Sequence, residues 1–263
     1  MTEGRASSVD PAAIVSDGHA EGHVDRLVDD RFFGKQDRGV VVEVGAARPD
    51  YLSVGARFRA RGWEVLAIEP NPAYAEHYRR LGLEVLQYAC GDRDEDDVDF
   101  AVVNSHGTQY KGGAVTYESW SSLAIKDRYA ELKPDLDVSQ IKVKLRRLDT
   151  ILQMHAPGLE HIDLVSVDVE GWELEVLSGL DFERYKPSVL VVENLFYEAS
   201  YRAFMRRRGY VVWKHVRPND VYVRQAVLSR GEALIAPLRA SVLAAIDRGR
   251  HWLGRTLTPS GSP

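Results

Sequence analysis

Between Gly39 and Asn71 the apolar positions change period twice. Residues 40–44 form an almost unbroken apolar run stopped by Gly45, the pattern of a strand buried on both faces of a parallel sheet. Across residues 53–61, Val54, Phe58 and Arg61 recur at helical spacing and Gly62 follows as a stop, which predicts a helix. Residues 65–68 read as a second buried strand, ending on Glu69. Strand, small-residue turn, helix, strand and acid make a nucleotide-type βαβ unit. The rest of the chain is read outward from it.

Upstream, Val24, Leu27, Val28 and Phe32 predict a helix over 24–33 that covers one edge of the sheet. Downstream, residues 72–81 form a helix opened by Pro72 and ended by Gly82, and residues 83–88 a third strand leading into Ala89-Cys90-Gly91. The acidic run 92–97 reads as a solvated turn, residues 98–104 as a strand outside the βαβ unit, and 141–145 as a half-exposed strand. Residues 148–155 predict a short helix and 161–167 a buried strand that ends in Asp168-Val169-Glu170-Gly171-Trp172. A helix over 173–180, a strand over 188–192 ending in Glu193-Asn194, and a helix over 197–208 follow. Residues 210–215 and 221–224 pair around the turn Pro218-Asn219-Asp220. Residues 233–257 are amphipathic, which predicts a helix packed on its own domain or on a second subunit, a homodimer being one expectation.

Residues 105–140 fit neither period. They hold Gly107, Gly112 and Gly113 among Tyr110, Tyr117, Trp120 and Tyr129, the make-up of a lid or binding loop. The expected organisation is a flexible segment over 1–23, one α/β domain over 24–226 with its lid at 105–140, and a helix and tail over 227–263.

Composition narrows the classes. With 44% hydrophobic and 28% charged residues, the chain of 263 residues is that of a soluble globular protein. A net charge of −5 argues against a nucleic-acid partner. A single cysteine, Cys90, excludes an intrachain disulfide framework and a Cys-based zinc cluster. No apolar run reaches membrane-spanning length and the N-terminus carries no signal core, so a cytoplasmic protein without stable membrane insertion is expected.

The candidate chemistry starts at Glu69, where a carboxylate can accept hydrogen bonds from both ribose hydroxyls of an adenosine. The loop after the first strand has no third glycine and no phosphate-binding lysine, and Pro49 removes an N–H that a pyrophosphate would need. An adenosine ligand without a pyrophosphate fits, and S-adenosylmethionine is that ligand; Glu43 would face its ammonium or sulfonium side. Asp168 and Glu170 leave one strand end, and Glu193 and Asn194 leave the next. These acids are candidates for the base of a methyl transfer, and their oxygens suit a hard cation such as Mg2+. The alternative is that Asp168 and Glu193 cap helices or hold loops, and because helix-start capping and charge also account for the acids around Glu170 and Glu173, the metal-free reading is preferred here. His106 is a candidate base from the lid. Tyr110, Tyr117 and Trp120 would form a platform for a sugar ring or the lid's own small core.

With these strand ends in place, the chain resembles the FkbM family of S-adenosylmethionine-dependent O-methyltransferases from about residue 40 to residue 222. The resemblance rests on Glu43-Val44-Gly45-Ala46, Ile68-Glu69-Pro70-Asn71-Pro72 and Arg147-Leu148-Asp149-Thr150, and above all on the stretch from Ile162 to Leu177 around Asp168-Val169-Glu170-Gly171-Trp172. The family usually has Asp where Glu43 stands and a Gly-Ala-Asn-x-Gly loop, where this chain has Gly45-Ala46-Ala47-Arg48-Pro49. The resemblance implies a class I, Rossmann-like, doubly wound sheet of seven strands with the last antiparallel. It implies that Glu69 binds the ribose with Asn71 beside it, that Tyr88, Ala89 and Cys90 border the adenine, and that Glu43, Gly45 and Ala46 hold the methionine part with Asp168 nearby. The expected acceptor is a hydroxyl of a saccharide, such as a precursor of a methylmannose or methylglucose polysaccharide, or of a glycosylated natural product. A polyketide or macrolide hydroxyl is the alternative acceptor, and a non-catalytic adenosine-binding module the alternative class.

Overall fold

Val41 and Val42 are adjacent in the chain and belong to different cores, because successive side chains of a strand leave on opposite faces. The computed structural model that shows this describes residues 20–104, 120–132 and 137–256. In order, the first half contains α1 (Val24–Val28), β1 (Val40–Val44), α2 (Val54–Ala60), β2 (Glu64–Ile68), α3 (Pro72–Arg80), β3 (Ala89–Gly91), β4 (Glu95–Asn104) and α4 (Asp127–Leu132). Then come β5 (Asp137–Arg147), α5 (Leu148–His155), β6 (Leu164–Val167), α6 (Glu173–Ser178), α7 (Phe182–Tyr185) and β7 (Val189–Glu193). The chain finishes with α8 (Ala199–Arg206), β8 (Tyr210–Val216), β9 (Asn219–Arg224) and α9 (Arg230–Thr256).

Six strands form the main sheet in the order β2-β1-β6-β7-β9-β8. β1, β2, β6 and β7 run parallel, and β9 runs antiparallel to both its neighbours. One face packs Val42, Val165, Leu190 and Tyr222 against Leu148, Val176, Tyr185 and Phe204 from α5 to α8. The other packs Val41, Leu164, Val189 and Val221 against Val24, Val28, Val54 and Phe58 from α1 and α2. Each such aliphatic side chain, fully buried, contributes about 1.5–3 kcal/mol. Helices on both faces of a mostly parallel sheet make this an α/β fold.

Three expectations change. The predicted third strand over 83–88 is reduced to a single bridge between Leu86 and Ile68, so the main sheet has six strands rather than seven. The chain then leaves that edge, and Ala89–Gly91 pairs instead with β5 in a second sheet of order β3-β5-β4. The acidic run does not stay a turn, since β4 starts at Glu95, where Asp96 pairs with Arg146 of β5. The helix over 24–33 lies on a face of the sheet rather than on its edge, and its second half, 29–33, is wound as a π-helix. Asp94 fixes the second sheet to α5 by accepting from the Arg147 N–H at 2.7 Å and the Thr150 hydroxyl at 2.8 Å.

Candidate active site

The carboxyl ends of β1, β2 and β6 open onto one cleft. Gly45 turns the chain at φ +75°, its N–H donating to the Ile68 carbonyl at 3.0 Å. Gly45, Ala47, Glu69, Tyr74, Tyr88, Ala89, Cys90 and Asp168 line the narrow part of the cleft, about 40 Å³. Phe100 of β4 and Ser121, Ser122 and Leu123 of the segment bridged to that strand close it on one side, and Val169 and Trp172 from the β6 end. Past Gly45 and Asp168, the cleft widens into a cavity of about 560 Å³ that also touches Glu43, Ala46, Ser53, Trp120, Glu170 and Glu193.

Glu69 is 6% exposed. Its Oε2 accepts from the Ala47 N–H at 3.0 Å and its Oε1 from the Asn71 N–H at 2.8 Å. A carboxylate has about four acceptor positions, so each oxygen keeps one for a ligand. Burial pushes the Glu69 carboxyl up to about 7, against the pull of those two N–H groups. The folded protein therefore holds this proton more tightly than the unfolded chain. Its contribution is full below about pH 4.5 and is lost as pH rises through 7, a change on the order of 3 kcal/mol. Urea unfolding of the ligand-free protein at pH 5 and pH 8 should show wild type losing more stability with rising pH than Glu69→Gln. Equal losses would place the titration elsewhere.

Other predicted residues take different parts. Asn71 caps α3, its Oδ1 accepting from the Ala73 N–H at 3.0 Å, and so orients Glu69 instead of lining the cleft. Glu43 is held by the Ser53 hydroxyl at 2.9 Å and the Gly55 N–H at 3.1 Å, at the start of α2, while it lines the wide cavity. Burial, then the Glu69 charge, keep the Cys90 thiol protonated.

Asp168 and three further acids converge at the end of β6. Asp168 is open to the cavity yet withdrawn from bulk water by the protein around it, and burial and the Glu173 charge push its carboxyl up to about 8. Glu170 and Glu193 are pushed well above the usual range by burial and by Asp168. Tyr129, on α4, donates its hydroxyl to Glu193 at 2.9 Å and packs edge-on against Phe196 and Trp120. Glu173, the first residue of α6, ties down the loop that precedes the helix, accepting from the Val169 and Gly171 N–H groups and, at 2.5 Å, from the Tyr201 hydroxyl. Asn194 turns away: it donates to Asp220 at 3.0 Å and accepts from the Glu198 N–H at 2.7 Å, which removes it from the predicted cation ligands.

The expected lid divides. His106, Tyr110 and Tyr117 lie outside the described residues. Residues 137–140 belong to β5 rather than to a loop. Between them, residues 120–132 are tied down over the cleft: the Trp172 indole donates to the Ala124 carbonyl at 2.9 Å, and Ser122 bridges Ala101. Tyr129 and Glu173 were not singled out as site residues by sequence, although Glu173 stands in the first turn of a helix, where an acid is favoured by the helix dipole.

Residues 43–212 match the Methyltransferase FkbM domain. The chain is similar to Methyltransferase 1 of Beauveria bassiana (strain ARSEF 2860), at 26% identity over a 164-residue alignment that takes in 56% of this chain and 63% of that protein. It is also similar to Methyltransferase sdnD of Sordaria araneosa, at 47% identity over 53 aligned residues, 18% of this chain and 20% of that protein. It thus spans less than two thirds of the length of either curated relative. A crystal structure of Methyltransferase FkbM from Methylobacillus flagellatus KT superposes with a TM-score of 0.42 at 16% identity, covering 71% of this chain and 44% of that one.

Proposed function

The chain belongs to the FkbM methyltransferase family, and on that premise we infer that it is an S-adenosylmethionine-dependent O-methyltransferase acting on a hydroxyl of a saccharide or a glycosylated natural product. The observation that carries this reading is the two-part cleft. Its narrow end holds Glu69 with two acceptor positions open, and its wide end is lined with acids and polar groups. That donor chemistry fits an adenosine at one end and a polyhydroxylated acceptor at the other.

When bound, S-adenosylmethionine would supply an electrophilic methyl carbon, open to in-line attack by the acceptor oxygen, with the C–S electron pair leaving on sulfur. Glu69 would hold the ribose, with Ala89, Cys90 and Tyr88 along the base. Ala46 and Gly45 leave room at the methionine end. Asp168 stands where the two parts of the cleft join, and Asp168 or Glu170 would take the proton that the acceptor hydroxyl releases. Alignment in a water-poor site supplies much of the rate, and a base adds about 10²–10⁴-fold. Trp120, which lines the wide cavity, offers an apolar surface for a sugar ring.

Titration calorimetry with S-adenosylmethionine and its demethylated product, then a labelled-methyl assay on a saccharide panel, tests the reading. Binding with no transfer to any acceptor would favour the non-catalytic adenosine-binding module. In the same calorimetry, Glu69→Ala should weaken cofactor binding by about 1.5–3 kcal/mol, the range for hydrogen bonds to a charged group. Unchanged affinity in a folded variant would remove Glu69 from the ribose site.

A further inference from the structure

α9 packs on its own domain, the first of the two places expected for it, and keeps its apolar stripe outside. Ala236 is buried, and Ala233 joins the face of the sheet that α1 and α2 cover. Leu234, Leu238, Val242 and Ile246 repeat at four-residue spacing and are between 48% and 80% exposed, with Ile235 exposed beside them. Of the eight large apolar side chains exposed among the described residues, five are therefore on this one helix. Apolar residues scattered over a surface need no explanation, whereas a contiguous row marks a contact. At 1.5 Å per residue the 27-residue helix offers a row about 40 Å long.

Charge selects what covers the row. Residues 230–256 hold Arg230, Arg239, Arg248, Arg250 and Arg255 against Glu232 and Asp247, a net of +3 in a chain of −5, which leaves −8 on the rest. Glu232 is itself paired with Arg31, so it lends the helix no free negative charge. Arg239 is exposed and forms no ion pair among the described residues. By helical register Arg239 and Arg250 stand about three turns apart on one border of the row. Arg230 and Arg248, about five turns apart, and Arg255, about two turns further, follow the other border. Two copies pairing their rows would bring these arginine borders together with only Asp247 to offset them, which disfavours a second copy as the occupant. Nucleic acid would answer the arginines and leave the row uncovered. An anionic lipid surface supplies both halves, hydrocarbon beneath a layer of phosphates. No helix among the described residues is long and apolar enough to cross a bilayer, so the contact is in plane.

We propose that α9 docks the protein on the surface of an anionic lipid bilayer. Leu234, Leu238, Val242 and Ile246 enter the headgroup boundary, and the flanking arginines meet lipid phosphates. The docking stands apart from the proposed activity and needs nothing from the cleft.

Flotation of the full chain with phosphatidylcholine vesicles, with and without phosphatidylglycerol, tests this. At low salt the chain should rise with the mixed vesicles and stay behind with phosphatidylcholine alone, and added KCl should release part of it. Leu234→Glu combined with Leu238→Glu should lower binding at least about tenfold, since two buried leucines are replaced by charges. Arg239→Glu should lower it about fivefold or more. All three positions are exposed, so both variants should melt at the wild-type temperature, which separates lost docking from lost folding. No binding to the mixed vesicles, equal binding to neutral ones, or wild-type binding by the double variant would overturn the proposal. So would a chain that ignores vesicles and sediments as a dimer that the double variant breaks, because the row would then belong to a second copy.

Discussion

Asp168→Asn should cut methyl transfer by about 10²–10⁴-fold, the range for removing a positioned base, while cofactor affinity changes much less. Asp168 alone among the four acids lines both parts of the cleft, so its carboxylate is the acid nearest the junction of cofactor and acceptor. The substitution keeps the shape and removes the negative charge. It also relieves repulsion from Glu173, which with burial holds the Asp168 carboxyl up to about 8. The ligand-free variant should therefore be at least as stable as wild type near neutral pH, and a lost rate cannot be put down to unfolding. Initial rates at saturating cofactor, beside a thermal melt, check this. A variant with wild-type turnover would leave alignment, or another acid, as the source of the rate.

The second large effect is structural. Gly45→Ala should destabilise the protein by about 3–5 kcal/mol, in the uppermost class of single substitutions. At φ +75° a side chain is strained, and an added Cβ would sit 1.7 Å from the Asp168 carbonyl oxygen. That oxygen belongs to backbone and cannot swing aside, so β1 and β6 would have to part at the cleft. Cofactor binding should weaken with stability, because the same turn sets Ala47 against Glu69. Urea denaturation gives the answer, and a midpoint equal to wild type would mean the turn relaxes without moving β6.

The sequence carried the sheet centre well, for a reason visible in β1. Strands buried on both faces leave apolar runs that need no partner to be recognised, as in residues 40–44 and 189–192. The helix predicted over 148–155 has the observed bounds, since its apolar stripe is sharp. Residues 83–88 misled because their side chains pack as a strand's would. Leu83 and Val85 join Tyr78, while Leu86 and Tyr88 join the larger core. What they lack is backbone pairing beyond the single bridge at Leu86, and periodicity is blind to which neighbour a strand will find.

Site residues divide along the same line. Glu69 and Asp168 end strands and were readable from that position. Asn71 was readable too, but as a cap: Asn followed by Pro at the first helical turn is a helix-start signature. Ser53 and Gly55, which hold Glu43, lie on another element. Tyr129 reaches Glu193 across 64 positions of chain, a contact that no local pattern encodes.

α9 touches β8, the outermost strand of the main sheet. Its Ala233 packs with the α1 and α2 face, whereas its Ser241 accepts from Arg202 of α8, which covers the other face. The helix thus passes from one side of the sheet to the other across the border strand. An uncovered border strand offers a ladder of amides to any extended chain and is the usual starting point of edge-to-edge aggregation. α9 blocks that template, and Leu86 bridges the opposite border at Ile68. In exchange the helix presents Leu234, Leu238, Val242 and Ile246 outward at four-residue spacing, the first 80% exposed. Truncation ahead of Arg230 would remove that greasy stripe and still yield a less soluble protein, because side-chain stickiness is reversible on dilution whereas strand-by-strand stacking is not.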